Sequence, residues 1–267
     1  MNDIVYDLAL FEALNEEYRS RPLVPRPRSY KTAAVLEAGR RRAAALTARF
    51  GLKGKTVLEI GCGRGEVLAA LAETAGCRCV GVDIGEYPLW RENAGPNVRL
   101  LRVDLSQDRD ALAGERFDFV LSLAVWEHVR HPHALLERAH GLLRPGGEMF
   151  LSANLHRGPK ASHRYRQVFF PWPHLLFSDA VFEEFYLKHH NKKMRASWVN
   201  RLTAAHYLLF FETLGFERLA VSYRTTPIDE PFYARFADLL ERYPRFDLER
   251  DFIEAHLRRP AGDAPAR

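Results

Sequence analysis

Closely spaced glycines, two well-placed carboxylates and a run of histidines are the groups in this chain that could do chemistry. Gly61, Gly63 and Gly65 alternate with Cys62 and Arg64 directly after the apolar stretch Thr56–Ile60, and Glu59 stands two residues before the first of them. A turn that lacks Cβ atoms lets a ligand approach the main chain and permits φ > 0; a helix that starts behind it aims N–H groups at that ligand. Asp83 follows 22 residues after Gly61, at the end of Cys79–Asp83. A carboxylate there offers paired acceptors at the spacing of two ribose hydroxyls. Together these residues point to an adenosine-type ligand without deciding which. Ten of the eleven histidines fall between positions 128 and 206. Histidine is the side chain best suited to take a proton from a hydroxyl nucleophile near neutral pH.

The elements that must position these groups follow from periodicity. Thr56–Ile60 reads as a buried strand and Glu66–Ala75 as a helix. Cys79–Asp83, Val98–Val103, Phe117–Leu121 and Glu148–Ala153 read as further strands. Pro132–Leu143 reads as a helix closed by Arg144-Pro-Gly-Gly147, with the glycine pair at its C-cap. Alternating strands and helices imply right-handed crossovers and a parallel sheet, whose ligands sit at the carboxyl ends of the strands. Gly61, Asp83, Asp104 and Ser122 all fall at such ends. Upstream, residues 1–20 read as an amphipathic helix with Ile4, Leu8, Phe11 and Tyr18 on one stripe; 21–28 are held extended by three prolines, and Tyr30–Phe50 forms a second helix. Downstream, residues 155–200 break the rhythm with the aromatic run Val168–Phe177 and a helix over Asp179–Lys188. Asn200–Leu214 resumes as a helix with Gly215 at C′, Glu217–Arg224 is a strand, 231–246 a helix, Asp251–Leu257 a last strand and 259–267 a disordered tail.

The third glycine comes one residue earlier than in the dinucleotide fingerprint G-x-G-x-x-G. The resulting E-x-G-x-G-x-G resembles motif I of the class I S-adenosylmethionine (SAM)-dependent methyltransferases. Cys-Val-Gly-Val-Asp83, Asp104-Leu105, Ser122–Val129 and Leu-Arg-Pro-Gly-Gly147 resemble later segments of that family, so that residues 52–155 are covered. The resemblance implies an α/β, Rossmann-like fold: a seven-stranded, mostly parallel sheet with helices on both faces and its last strand antiparallel at the edge. It implies an N-terminal helical cap over 1–50, a SAM-binding core over 51–155, a substrate lid inserted at 156–200 and the rest of the core, with an inserted helix, over 201–267. SAM would be held by Glu59, Gly61, Cys62, Gly63 and Gly65 at the first turn, by Asp83 and Ile84 beside the ribose, and by Asp104 and Leu105 at the adenine. Ser122, Leu123 and Glu127 would lie along its methionine part, with Tyr30 reaching in from the cap.

Methyl transfer needs donor and acceptor aligned and dry, and a hydroxyl acceptor needs a base. His128 and His131 flank the segment after the fourth strand and lead as bases; His163 is third, as a lid residue reaching back. Trp126, Phe169, Phe170, Trp172 and His189 are the expected acceptor contacts, although the aromatic run could equally be the insert's own small core. No acidic cluster fit to hold a substrate diol through a metal follows the fourth or fifth strand, so no metal is expected. The net charge of +5 is uneven: residues 19–49 carry nine Lys or Arg against one acid, and 156–201 nine against three. Such segments suit an anionic acceptor, or are simply solvated faces. The chain is long enough for a full core, and no apolar run approaches the roughly 20 residues that span a bilayer. The first ten residues hold Asp3 and Asp7 and no basic run, and the odd cysteine set (Cys62, Cys77, Cys79) reads as reduced thiols, so a cytoplasmic protein is expected. The expected activity is O-methylation of a natural-product, sugar or nucleotide-sugar type acceptor, with self-association into a homodimer left open. A nucleic-acid methyltransferase is the alternative, against which no Asn/Asp-Pro-Pro-aromatic element follows the fourth strand. A non-catalytic SAM-fold binding protein is the further alternative.

Overall fold

The strands are β1 (Thr56–Ile60), β2 (Arg78–Asp83), β3 (Val98–Arg102), β4 (Phe117–Leu123), β5 (Leu143–Asn154), β6 (Glu217–Thr225) and β7 (Arg250–Arg258). In this computed structural model, which describes residues 6–26, 29–108 and 110–262, they form one sheet in the order β3-β2-β1-β4-β5-β7-β6. β1 pairs in parallel with β2 and β4, β2 with β3, and β4 with β5. Consecutive residues of β1 and β4 are buried, which requires both sheet faces to be covered. The helices are α1 (Leu8–Glu17), α2 (Thr32–Phe50), α3 (Glu66–Ala75), α4 (Trp90–Asn93), α5 (Pro132–Leu142), α6 (Pro173–Leu176), α7 (Asp179–His190), α8 (Ala204–Thr213), α9 (Glu230–Arg235), α10 (Ala237–Leu240) and α11 (Arg245–Leu248). Among the described residues no helix is long and apolar enough to cross a membrane. Ile4 of the expected first helix, Pro27 of the extended segment and 263–267 of the expected tail lie outside the described residues.

Several elements depart from expectation. β7 is not the edge strand: it lies between β5 and β6, and β6 is at the edge. Leu155 N–H donates to Asp251 O (2.8 Å), and Arg259 N–H to Gly147 O (2.9 Å), so β7 runs antiparallel to β5. No residue of β7 is exposed, whereas most of β6 is, and periodicity alone does not separate an inserted strand from a half-covered edge. The Arg-Pro-Gly-Gly segment does not close α5 with a glycine cap. Leu143 is already the cap residue, and β5 starts there. Phe117 then faces Leu143 while Phe119 faces Glu148, so residues 144–147 bulge out of β5. A Cβ on Gly147 would lie 2.9 Å from Arg144 O, too close for any other residue in that bulge. α8 begins only at Ala204, after Arg201 in a left-handed conformation (φ 61°). The expected helix over 231–246 is three short ones, broken at Phe236 (φ −120°) and again before Pro244.

The chain sorts into two units that differ from the expected division. One takes the described part of 1–28 with 154–204 and 223–253; the other takes 29–153, 205–222 and the described part of 254–267. The N-terminal cap is therefore shared out, α1 going to the first unit and α2 to the second. In the first unit Phe11 of α1 meets the rings of Phe170, Phe177, Phe182 and Phe185 at 4.7–5.2 Å between centroids. Each such buried ring contributes about 1.5–3 kcal/mol through area removed from water. The aromatic run of the insert is thus the centre of a core, and it recruits α1 because Phe11, Leu14 and Tyr18 complete it. In the second unit Leu46 and Phe50 of α2 pack with Val67, Leu68 and Leu71 of α3 against Val57, Phe119 and Leu121.

Candidate active site

The turn after β1 is built on left-handed backbone. Gly61 has φ 74° and Gly63 φ 53°, conformations that a side chain would strain. At Gly61 there is also no room: a Cβ would lie 2.2 Å from Val125 Cγ2. At Gly63 the reason differs, since nothing lies within 4 Å of a Cβ and the residue borders a cavity. Gly65 caps α3, and a Cβ there would lie 2.8 Å from Leu100 Cδ1.

That cavity, of about 560 Å³, opens at the carboxyl ends of β1, β2, β3 and β4. Gly61, Gly63, Asp83, Ile84, Asp104, Leu105 and Leu123 line it. Asp83 accepts the Gly63 N–H on Oδ2 (2.9 Å) and the Gly85 N–H on Oδ1 (2.9 Å). A carboxylate has about four acceptor positions, so both oxygens keep capacity for further donors. Asp104 accepts the Ser106 N–H (2.9 Å) and hydroxyl (2.6 Å) on Oδ1 and the Gln107 amide (3.0 Å) on Oδ2. Ile84 is 73% exposed, an apolar side chain left open at the cavity wall, and Leu105, which also lines the cavity, is buried.

Of the histidines, His128 ends the 3₁₀ turn Trp126–His128, is exposed and lines the cavity. His131 is exposed at the N-cap of α5, where its carbonyl accepts the Leu135 N–H (3.1 Å), and it is not a lining residue. His163 belongs to the first unit, in a left-handed conformation (φ 55°) with Nε2 3.2 Å from Asn154 Oδ1.

Other expected contacts sit elsewhere. Glu59 is buried and does not line the cavity. Burial, reinforced by the Glu66 and Asp83 charges and offset by Arg42, pushes its carboxyl up to about 8, so it is protonated at neutral pH. Among the described residues its Oε2 finds no hydrogen-bond partner. The Cys62 thiol lies under the turn, where a Cβ on Gly81 would be 2.8 Å from its sulfur, and burial raises its pKa. Ser122 is not in a loop: β4 continues to Leu123, and the buried Ser122 hydroxyl donates to Ile60 O (2.9 Å), tying β4 to β1. Trp126 and Glu127 are buried and are not lining residues, because the 3₁₀ turn leaves only His128 at the surface. Tyr30 is 57% exposed and also outside the lining; its carbonyl accepts from Arg64 Nη1 (3.2 Å). Phe170 and Trp172 are buried in the first unit's core, with Trp172 Nε1 donating to Leu248 O (3.0 Å). Phe169 and His189 line a separate cavity of about 440 Å³ within that unit, where His189 Nε2 meets Glu12 Oε1 at 2.5 Å. Tyr87, Gln107, Val125 and Arg130 line the 560 Å³ cavity without having been singled out from sequence. Gln107 and Arg130 had a usable signal, each lying two or three residues from a group already chosen, Asp104 or His128. Tyr87 and Val125 had the same signal, three residues from Ile84 and one from Trp126.

A family model described as a methyltransferase domain matches residues 35–219. The ubiquinone biosynthesis O-methyltransferases of Pseudomonas paraeruginosa and Azotobacter vinelandii are 38% and 39% identical over 118 and 114 residues, 42% and 41% of this chain and 50% and 48% of theirs. The chain spans about half the length of the curated relatives it matches. An S-adenosylmethionine-dependent methyltransferase from Mesorhizobium loti shares the fold at 22% identity and a TM-score of 0.54, over 84% of this chain and all of that one. The [4+2]-cyclase SpnF shares it at 15% identity and 0.55, over 95% and 93%. The chain belongs to the methyltransferase-domain family, and its α/β sheet is the fold that these solved structures share.

Proposed function

We propose that this chain methylates a hydroxyl group of a small molecule, with His128 as the base. The observation that carries the reading is that one cavity gathers Gly61, Gly63, Asp83, Asp104, Leu105 and the exposed His128. SAM, when bound, supplies a methyl group on a positively charged sulfur. The lining fits such a group: Asp83 keeps acceptor capacity for ribose hydroxyls, Ile84 and Leu105 offer apolar surface to a purine, and the Gly63 position leaves room for close approach. His128 takes the proton of the acceptor hydroxyl, and Arg130 on the same wall attracts a carboxylate or phosphate. Oxygen as the methylated atom is supported by the names of the curated relatives, and an anionic acceptor by Arg130 and the two basic segments.

The test is calorimetry with S-adenosylhomocysteine, followed by methyl transfer from labelled SAM to a panel of phenols, sugars, nucleotide-sugars and RNA. Binding with transfer to a hydroxylated small molecule supports the reading. Transfer to RNA alone, or no cofactor binding, overturns it.

A further inference from the structure

We propose that Trp90 and Asn93, both on the single turn of α4, are positioning residues that hold the glycine turn in its ligand-receiving conformation. The inference rests on the reading that this turn receives SAM. Trp90 Nε1 donates to Gly63 O (2.7 Å), and Asn93 Nδ2 donates to Arg64 O (2.8 Å). From the other side, Asp83 Oδ2 accepts the Gly63 N–H (2.9 Å). Two successive carbonyls and one amide of the turn are therefore fixed by residues 83–93, the end of β2 and the connection that leaves it.

Fixing a carbonyl also fixes the amide behind it. In a trans peptide the C=O and the following N–H point in opposite directions. The Trp90 bond to Gly63 O thus sets the direction of the Arg64 N–H, and the Asn93 bond to Arg64 O sets that of the Gly65 N–H. The latter donates to Cys62 O (3.0 Å) and closes the turn. The need for such anchors follows from composition. Glycine has the largest backbone freedom of any residue, and three in five positions give the segment many alternative peptide orientations. Trp90 is 9% exposed and packed in the core with Leu68, so its indole arrives from a rigid support. The backbone course of the turn is set before any ligand binds, which removes an ordering cost from the binding step.

Trp90→Phe keeps an aromatic ring in the core and removes the donor; Asn93→Leu keeps the bulk and removes the amide. Each neutral hydrogen bond is worth about 1 kcal/mol, so each variant should raise the S-adenosylhomocysteine Kd and the KM for SAM about fivefold, and the pair about 25-fold. kcat at saturating SAM and the KM for acceptor should stay within about twofold of the parent. Hydrogen exchange of the amides across residues 61–66 in the ligand-free protein should quicken in both variants. Lower Tm with unchanged Kd and unchanged exchange across the turn would make the two residues merely structural and overturn the inference. Should the parent bind no S-adenosylhomocysteine, the methyltransferase reading falls by itself, and the exchange of 61–66 still decides whether α4 holds the turn.

Discussion

Gly61→Ala is the sharpest probe of how the turn and the post-β4 segment are fitted together. An alanine at φ 74° would adopt left-handed backbone, at a cost of about 1–2 kcal/mol. Its Cβ would also stand 2.2 Å from Val125 Cγ2 and 2.8 Å from Cγ1. Real Cβ atoms do not approach that closely, so Val125 must move, and overpacking of this kind costs about 1–3 kcal/mol. The sum, about 2–5 kcal/mol, is a large part of a typical folding stability of about 5–15 kcal/mol. Val125 lines the cavity, so any relief by displacement deforms the wall that the proposed function assigns to the cofactor. Val125→Ala removes both offending methyls. In the Gly61→Ala background it should recover about 1–3 kcal/mol and leave the backbone share of about 1–2 kcal/mol in place. Urea midpoints for the parent, both single variants and the double variant measure the coupling, and calorimetry with S-adenosylhomocysteine shows whether the wall has moved. A Gly61→Ala protein with the parent's midpoint and affinity would refute the reasoning. So would a double variant no more stable than Gly61→Ala, because the strain would then lie somewhere other than this contact.

Asp83→Ala strips the acceptor from the Gly63 and Gly85 amides as well as from the ribose, and should raise the S-adenosylhomocysteine Kd by about 30-fold or more; unchanged affinity would remove Asp83 from the site. His128→Ala should lower kcat by about 10²–10⁴ with cofactor affinity within about twofold, and full turnover would exclude it as the base. Stability should peak near pH 6.5. Burial holds His156 down to about 4 and His174 to about 3, so both are protonated in the unfolded chain first, and stability is lost as pH falls below 6.5. Glu59 runs the other way: raised to about 8, its contribution is complete below 4.5 and is lost as pH rises to 8, with a slope up to about 1.4 kcal/mol per pH unit. Urea midpoints from pH 4.5 to 8.5 should therefore fall above 6.5 in the parent and stay level in Glu59→Gln; an equal alkaline fall in both would disprove the Glu59 assignment.

Local pattern alone determined a good deal of this protein. β1 and α3 have the boundaries their residues dictate, because an apolar β-branched run and an Ala/Leu-rich segment divided by glycines admit few other conformations. That Gly61, Gly63, Asp83 and Asp104 lie along one cavity was legible for a related reason: each falls at a strand end or within three residues of one, and strand ends follow from periodicity. Tertiary structure decided what covers what. Trp126, Phe170 and Trp172 are apolar and aromatic whether they face a ligand or a core, and only the packing of α1 against the insert shows that Phe170 and Trp172 serve the core. His128 and His131 stand three residues apart with the same chemistry, and a 3₁₀ turn followed by an N-cap puts one at the cavity and leaves the other outside its lining. The place of β7 between β5 and β6, the contact of Val125 with Gly61 and the reach of Trp90 to the glycine carbonyl all join residues distant in sequence. Periodicity records which side of an element is apolar; it does not record which other element arrives to meet it.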